Sequence, residues 1–310
     1  MSVKKHEGKN VSRFDIQRKI VANMTSESWR HIPHVSYIYE PDVTDFLTNY
    51  KKFDDSLKDG KHVTLNTVVL KAIAEALKSA PEMNAHLHFE KELVRGKITK
   101  FDNIDMSVPW VLPSGSMMTV TMKDIGNRSL GNITEYFSDT GRRIGNTNLT
   151  EAMYSVSMHD TFEALGKGRF IKVAQRLIGS KTNKRHRVTP LKGEAKKKYD
   201  AIPDRDKLTY EDLKQGTITV SNIGSISRNH SGEFAMLMII PPQVCAIGVG
   251  AVQKKPIVVT DDNGNDEIKI ASVLPLCICF DHRAMDFSNI KPFLDKLKDI
   301  FDNPEQILKY

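Results

Sequence analysis

The stretch Asp281-His282-Arg283-Ala284-Met285-Asp286 directly follows the apolar run 271–280 and precedes a helix-like pattern near the end of the chain. It sets a histidine and a carboxylate four residues apart, immediately after a predicted buried strand. Histidine exchanges a proton near neutral pH, which makes this a candidate position for a general base. The same spacing also arises by chance, and most such pairs are structural. The motif therefore needs support from the rest of the chain.

Other segments supply that support because they occur in one order along the chain. Upstream lie 216–224 (GTITVSNIG) and 241–250 (PPQVCAIGVG), and an amphipathic helix pattern closes the chain. Near the N-terminus, Arg18-Lys19 is followed by Ile32-Pro33-His34. This order resembles the catalytic domain of the acyltransferases of 2-oxo acid dehydrogenase complexes, the dihydrolipoamide acyltransferase family. That family shares its fold with chloramphenicol acetyltransferase.

The pattern of elements predicts an α/β protein, a two-layer α+β sandwich in which helices cover a mixed β-sheet. Residues 12–15 read as a capping box for a first helix, and the alternation in 35–39 predicts a strand. Helical spacing marks 43–50, 65–76 with Thr64 as the cap, and 290–301, which ends before Pro304. Strands are expected on both sides of the turn at 113–115, at 217–221 and 244–252, and after a hairpin at Asn263-Gly264.

The resemblance implies a role for each candidate residue. His282 would be the general base, and Ser221 would donate to the oxyanion of the tetrahedral intermediate without acting as a nucleophile. Asp286 would keep the site ordered through a salt bridge with an arginine, for which Arg18 is the candidate and Arg283 a competitor. From the residues alone, Ser221 is equally well a hydroxyl at a strand end, and Arg18 a solvated residue of the first helix.

Two features of the sequence qualify the resemblance. A serine hydrolase would also use serine, histidine and aspartate, but no Gly-x-Ser-x-Gly elbow surrounds Ser221. The family almost always has glycine after the motif's last aspartate, where this chain has Phe287. Glycine allows backbone geometry that phenylalanine does not easily adopt. The turn that aims Asp286 is therefore expected to differ, while Asp281 is expected to shape the turn itself.

The composition bounds the class of protein. At 310 residues with 40% hydrophobic content, the chain can bury a large core. We expect one domain, 1–310, with a basic insertion at about 145–206, and a cytoplasmic location, because neither a signal peptide nor a membrane span is recognisable. Cys245, Cys277 and Cys279 are expected to be reduced core thiols, with the last two on one strand face. No metal site is predicted.

The formal charge of +7 is concentrated in the insertion, at 181–198. No aromatic residues interleave these cations, so a solvated loop is favoured over a nucleic-acid site. The run could also attract an anionic substrate such as coenzyme A. The pattern of 170–178 predicts a basic amphipathic helix. We expect it to dock on its own domain or on a neighbouring subunit, not on a membrane.

The predicted function is acyl transfer between coenzyme A and a thiol or hydroxyl acceptor, with coenzyme A as substrate and no covalent enzyme intermediate. The resemblance implies a homotrimer, or a larger assembly of trimers, with His282 of one subunit facing Ser221 of the next. No lipoyl group is expected on this chain, because a lipoyl domain does not fit before Arg18, so any lipoyl group would come from a separate protein. One alternative is a catalytically inactive trimeric scaffold or binding module. Another is the core subunit of a true dehydrogenase complex.

Overall fold

The computed structural model describes residues 13–55, 62–112, 115, 117–166, 168, 170–181, 189–225 and 231–309. The helices and strands of these residues, in chain order, are α1 (Ile16–His31), β1 (His34–Tyr39), α2 (Thr44–Asp55), α3 (Leu65–Leu77), β2 (Ala85–Glu90), β3 (Arg95–Lys100), β4 (Met106–Val111), β5 (Met117–Met122), α4 (Leu130–Gly145), α5 (Leu149–Gly166), α6 (Phe170–Lys181), α7 (Gly193–Asp200), α8 (Tyr210–Leu213), β6 (Ile218–Asn222), β7 (Cys245–Val249), β8 (Gln253–Thr260), β9 (Asp266–Val273), β10 (Leu276–Asp281) and α9 (Phe287–Asp302).

A six-stranded sheet forms the centre of the molecule, in the order β1-β10-β7-β6-β4-β5. β6 runs parallel to both β4 and β7, whereas β1, β10 and β7 pair antiparallel, as do β4 and β5. Every residue of β7 and β10 is buried, because both faces of these central strands are covered. The mixed sheet predicted from the sequence is confirmed.

One face of the sheet carries the main hydrophobic core. α3 and α9 pack side by side there, and α9 buries Phe293, Leu297 and Phe301. The predicted cap of α3 is confirmed, since the Thr64 side chain accepts a hydrogen bond from the backbone N–H of Thr67. α9 ends before Pro304, as its sequence pattern predicted.

The opposite face of the sheet holds a smaller apolar cluster, made of Ile32, Ile239, Ala246, Cys277 and Cys279. The segment 231–240, which contains no helix or strand, lies over it. The sulfurs of Cys277 and Cys279 are 3.5 Å apart, and all three cysteines are free and buried. The prediction of reduced thiols that share a strand face is therefore confirmed.

Two local predictions differ from the structure. Asp15, not Ser12, is the N-cap of α1: its side chain accepts from the Arg18 N–H at 2.7 Å, and Ser12 lies outside the described residues. The apolar run 271–280 is divided between β9 and β10, which belong to different sheets. The division falls at Pro275, which has no N–H for a ladder and whose carbonyl accepts from Gly250. The predicted turn at 113–115 lies mostly outside the described residues.

The segment predicted as an insertion leaves the body of the protein after α4 and returns before α8. The two ends are tied together, because the Asn146 side chain donates to the Asp206 carbonyl and the Leu208 N–H donates to the Thr147 hydroxyl. Between these points lie α5, α6 and α7. α6 packs on α5 and buries Val173, but Phe170, Ile171 and Ile178 are more than half exposed. No described helix is both long and apolar enough to cross a membrane.

A largely buried ion pair lies at this junction. Arg143 donates to both carboxylate oxygens of Asp212, at 2.9 and 2.6 Å, and the side chains are 12% and 11% exposed. Burial pushes the pKa of Asp212 upward, but hydrogen bonds from Arg143 and Thr209 together outweigh it and leave the pKa below its usual value. The carboxylate is therefore charged at neutral pH and depends on its partner.

Replacing Arg143 by methionine should lower the free energy of unfolding by about 3 kcal/mol, because it strands a buried carboxylate. Denaturant unfolding measures this loss, and Arg142→Met, which removes two ion pairs at the surface and an exposed hydrogen bond to the Arg205 carbonyl, should change stability little. Since the folded pKa of Asp212 is depressed, the contribution of the pair is present above about pH 4 and is lost as the pH falls through that folded value. A stability difference that stays constant from pH 7 to pH 3 would contradict this account.

Candidate active site

His282 stands in the loop between β10 and α9, at the end of the sheet. Its backbone N–H donates to the Pro33 carbonyl at 3.1 Å, which ties the loop to the start of β1. The side chain is 54% exposed, and its ring meets the Phe280 ring edge to face at 6.0 Å. The imidazole is thus held on one side and open on the other.

Two acceptors surround one nitrogen of this ring. Nδ1 of His282 lies 3.2 Å from the Met285 carbonyl and 3.2 Å from Oδ1 of Asp286. Because both neighbours accept, Nδ1 carries the proton of the neutral ring and Nε2 keeps its lone pair. Nε2 has no hydrogen-bond partner in the described part of the chain. The ring is therefore arranged to accept a proton at Nε2.

Asp281 builds the turn that presents His282, as predicted. It is 1% exposed, and its carbonyl accepts from the N–H groups of Ala284 and Met285. Its carboxylate binds the Arg283 guanidinium, with Oδ2 2.6 Å from Nη2. Arg283 also lies over the Phe89 ring, 5.5 Å from its centre. Arg283 is therefore a partner of Asp281 and does not pair with Asp286.

Asp286 begins α9. It is the N-cap residue, and its backbone N–H donates to the Asn289 side chain at 2.8 Å. Phe287 is the first residue of the helix and does not have positive φ. Its ring packs edge to face on Tyr37, with the centres 4.9 Å apart. The turn does not need the conformational freedom of glycine, and phenylalanine fits where the family's glycine was expected.

Arg18 lies far from Asp286 within one chain. It is exposed in the first turn of α1, and only the last turn of that helix adjoins the start of β1 and the His282 loop. His31 comes thirteen residues after Arg18 in the helix, a rise of about 20 Å. Among the described residues, Arg18 and Asp286 do not form an ion pair with each other. A single chain does not form the pair predicted from the sequence.

Ser221 lies near the end of β6 and is 6% exposed. Its register partner is Gly248 of β7, which in turn lies opposite Cys277 of β10. A Cβ on Gly248 would meet the Phe234 ring at 2.5 Å, so only glycine allows that ring to pack here beside Ser221. The Ser221 hydroxyl has no hydrogen-bond partner in the ranges that the structure describes. It is available as a donor.

The sheet register separates Ser221 from His282. Ser221 is level with Cys277, and His282 comes five residues after Cys277, directly beyond the end of β10. At a rise of about 3.4 Å per residue, this is about 17 Å along the strand. The two side chains stand at opposite ends of one subunit and do not meet within it.

Sequence reasoning did not foresee the structural role of His34 beneath the His282 loop. Its Nδ1 is 2.9 Å from the Ile32 carbonyl, and its Nε2 accepts from the Ile239 N–H. Burial holds the pKa of His34 below its usual value. The neutral ring therefore links α1, β1 and the segment 231–240, and only the tertiary contacts reveal this. In the described ranges, no three His, Cys, Asp or Glu side chains are grouped to hold a metal ion.

Known acyltransferases match most of the chain at low identity. The acetyltransferase component of the pyruvate dehydrogenase complex of Mycobacterium bovis is 24% identical over 91% of this chain and 39% of its own length. The same component of Staphylococcus epidermidis is 24% identical over 96% of this chain and 52% of its own length. The lipoamide acyltransferase component of the Bacillus subtilis branched-chain complex is 25% identical over 93% of this chain and 51% of its own. The chain thus spans about half, or less, of these relatives.

Solved structures share the fold. A probable dihydrolipoamide acetyltransferase of Listeria monocytogenes superposes with a TM-score of 0.63 at 22% identity, over 96% of this chain and 95% of the other. The dihydrolipoamide acetyltransferase of Azotobacter vinelandii superposes with a TM-score of 0.62 at 18% identity, over 98% of this chain and 96% of the other. A family model for the 2-oxoacid dehydrogenases acyltransferase (catalytic domain) matches residues 5–157 and 185–309. On these grounds, the chain belongs to the 2-oxoacid dehydrogenase acyltransferase family, as a catalytic domain.

Proposed function

We propose that this protein transfers an acyl group between coenzyme A and a thiol or hydroxyl acceptor, with His282 as general base and Ser221 as oxyanion donor. The observation that carries the proposal is the state of the His282 ring. Its Nδ1 faces two acceptors 3.2 Å away, and its Nε2 is left open at an exposed loop. Such a ring is oriented to remove a proton from a bound acceptor.

The steps follow from these two groups. Nε2 of His282 takes the proton of the acceptor thiol or hydroxyl, and the resulting anion attacks the thioester carbonyl. The Ser221 hydroxyl donates to the oxyanion of the tetrahedral intermediate. Collapse of the intermediate breaks the bond to the coenzyme A sulfur, and that sulfur recovers the proton from Nε2. Ser221 forms no covalent bond at any step.

A site shared between subunits accounts for the distance between the two groups. His282 and Ser221 are about 17 Å apart along the strand within one chain, too far to act on one carbonyl. In a cyclic homotrimer, His282 of one copy can face Ser221 of the next, and each of three sites is completed in the same way. Arg18 of a neighbouring copy is likewise our candidate partner for Asp286.

The acceptor and the setting are part of the same proposal. The relatives' names describe acetyl transfer to a dihydrolipoyl-lysine residue, which is a thiol acceptor. For this protein, we propose a thiol carried by a separate lipoyl protein as the first acceptor to test. The three free, buried cysteines fit a reducing compartment and support a cytoplasmic location.

A subunit-mixing experiment tests the shared site. Ser221→Ala and His282→Ala chains, each expected to be slowed about 10²-fold alone, are co-expressed with different tags, and the mixed oligomers are isolated. In every mixed trimer, one of the three sites should receive an intact His282 from one chain and an intact Ser221 from the other. Release of the coenzyme A thiol in the presence of a dithiol acceptor measures the recovered activity.

The result distinguishes the shared site from a site within one chain. If both groups acted from the same chain, every site in the mixture would keep one defect and no activity would return. Mixing Ser221→Ala with Ser221→Ala of the other tag is the matched control. Mixed oligomers that stay as inactive as this control would contradict the proposal.

A further inference from the structure

The hairpin of β8 and β9 has its apolar side turned outward. Directly opposed residues of an antiparallel pair point to the same face, and the pairs Val258 with Ile268 and Pro256 with Ile270 share one face. Val258, Ile268 and Ile270 are 65%, 77% and 75% exposed. A hairpin at a protein surface normally exposes its polar face to solvent.

The other face of the hairpin packs on its own chain. Ala271 and Val273 are buried, and the Lys255 ammonium forms ion pairs with Glu40 and Glu233. The hairpin is thus held in place from behind, and its apolar face is presented to the outside. Contiguous exposed apolar side chains on a rigid support are typical of a protein interface.

The base of the hairpin lies at the Ser221 end of the sheet. β8 and β9 connect the end of β7 at Val249 with the start of β10 at Leu276. These two residues pair with each other, and Val249 also pairs with Asn222, next to Ser221. The hairpin therefore extends from the end of the sheet that contains Ser221, and the His282 of the same chain lies at the other end.

The charge of the hairpin tip indicates which kind of partner would bind this face. The tip of the hairpin carries three carboxylates, Asp261, Asp262 and Asp266, and none of them forms an ion pair among the described residues. Such a tip is repelled by anionic lipid or nucleic acid. The rest of the chain is strongly basic, with a net charge of +7 for the whole. A second copy of this chain thus offers the complementary charge.

We propose that the outward face of the β8–β9 hairpin (Pro256, Val258, Ile268 and Ile270) is a clamp that seats the neighbouring copy at the Ser221 end of the sheet. This inference rests on the proposed function, because it is the clamped copy that supplies His282. The clamp buries the apolar face and places the acidic tip on the basic surface of the partner. It acts on assembly and does not touch substrate.

Sedimentation velocity of Ile268→Lys tests the clamp. We expect the wild-type chain to sediment as an oligomer and Ile268→Lys as a monomer whose transfer rate is at least ten-fold lower. Glu267→Lys is the matched control, since it adds the same side chain one residue earlier on the opposite face, where Glu267 is 61% exposed. That control should keep both the oligomer and the rate.

Thiol labelling gives a second measurement that does not depend on the folding of Ile268→Lys. The native cysteines are buried, so a maleimide reports an introduced thiol. Ile270→Cys should react slowly in the oligomer, whereas Glu267→Cys should react fast. Equal labelling rates would overturn the clamp.

The outcomes separate the clamp from the shared site. An Ile268→Lys chain that remains oligomeric and fully active overturns the clamp and leaves the proposed function intact. An Ile268→Lys chain that is monomeric and fully active supports the clamp but overturns the shared site. A wild-type chain that is a monomer at assay concentration and active overturns both.

Discussion

Replacing His282 by alanine should lower the rate of acyl transfer by about 10²-fold or more, because it removes the proton acceptor of the reaction. The ring is exposed and packs lightly, so the substitution should leave the fold and the assembly unchanged. The loss should fall on kcat and not on the KM for acyl-coenzyme A, since Nε2 acts on the acceptor. Steady-state release of the coenzyme A thiol, with a dithiol as acceptor, measures both parameters.

His88→Ala is the matched control for this substitution. His88 lies on β2 with a side chain that is 66% exposed, similar to that of His282, and plays no part in the proposed reaction. It should keep the full rate. If His282→Ala also keeps the full rate, general-base catalysis by this residue is refuted. If the wild-type chain neither binds nor turns over any acyl-coenzyme A, that result favours the alternative of an inactive scaffold. Phe287 is no longer a reason for that alternative, because it fits the turn.

Replacing Ser221 by alanine should lower kcat on the order of 10²-fold with little change in KM, because one oxyanion donor is lost. The hydroxyl has no hydrogen-bond partner within the described residues, so its removal orphans no buried group there. The unfolding midpoint should therefore stay close to that of the wild type. Kinetics and thermal unfolding on the same preparation separate a catalytic role from a structural one.

Thr219→Val provides the matched control on the same strand. Thr219 precedes Ser221 by two residues, so it points to the same face, and its hydroxyl donates to Gln243 at 2.7 Å. This substitution should reduce stability but not kcat, the reverse of Ser221→Ala. An acyl adduct on Ser221, detected by mass spectrometry during turnover, would contradict the oxyanion role and indicate a hydrolase-like nucleophile.

Local patterns in the sequence were sufficient for the elements that position His282. The apolar strand, the turn at Asp281 and the amphipathic α9 follow one another, and each depends on neighbours a few residues away. The spacing of His282 and Asp286 placed them on one loop, and the structure brings them to 3.2 Å. Here the sequence reading and the structure agree, because turn and cap chemistry are local.

The relation of distant segments could not be derived in the same way. Arg18 was paired with Asp286 from the family resemblance, and the length of α1 keeps the two residues apart within one chain. The run 271–280 looked continuous, because its hydrophobicity does not reveal that Pro275 sends its two halves into different sheets. The outward apolar face of β8–β9 was also hidden, since alternation alone does not say which face meets water.

By itself, the sequence determined the elements and the mixed sheet, because hydrophobic periodicity and capping are properties of short segments, and its family resemblance made His282 the candidate base. Only the tertiary structure decided that Ser221 and His282 stand at opposite ends of the sheet. That separation depends on the register of β6, β7 and β10, which is set by packing between residues tens of positions apart. For the same reason, only the folded chain shows that a single copy does not bring Ser221 and His282 together.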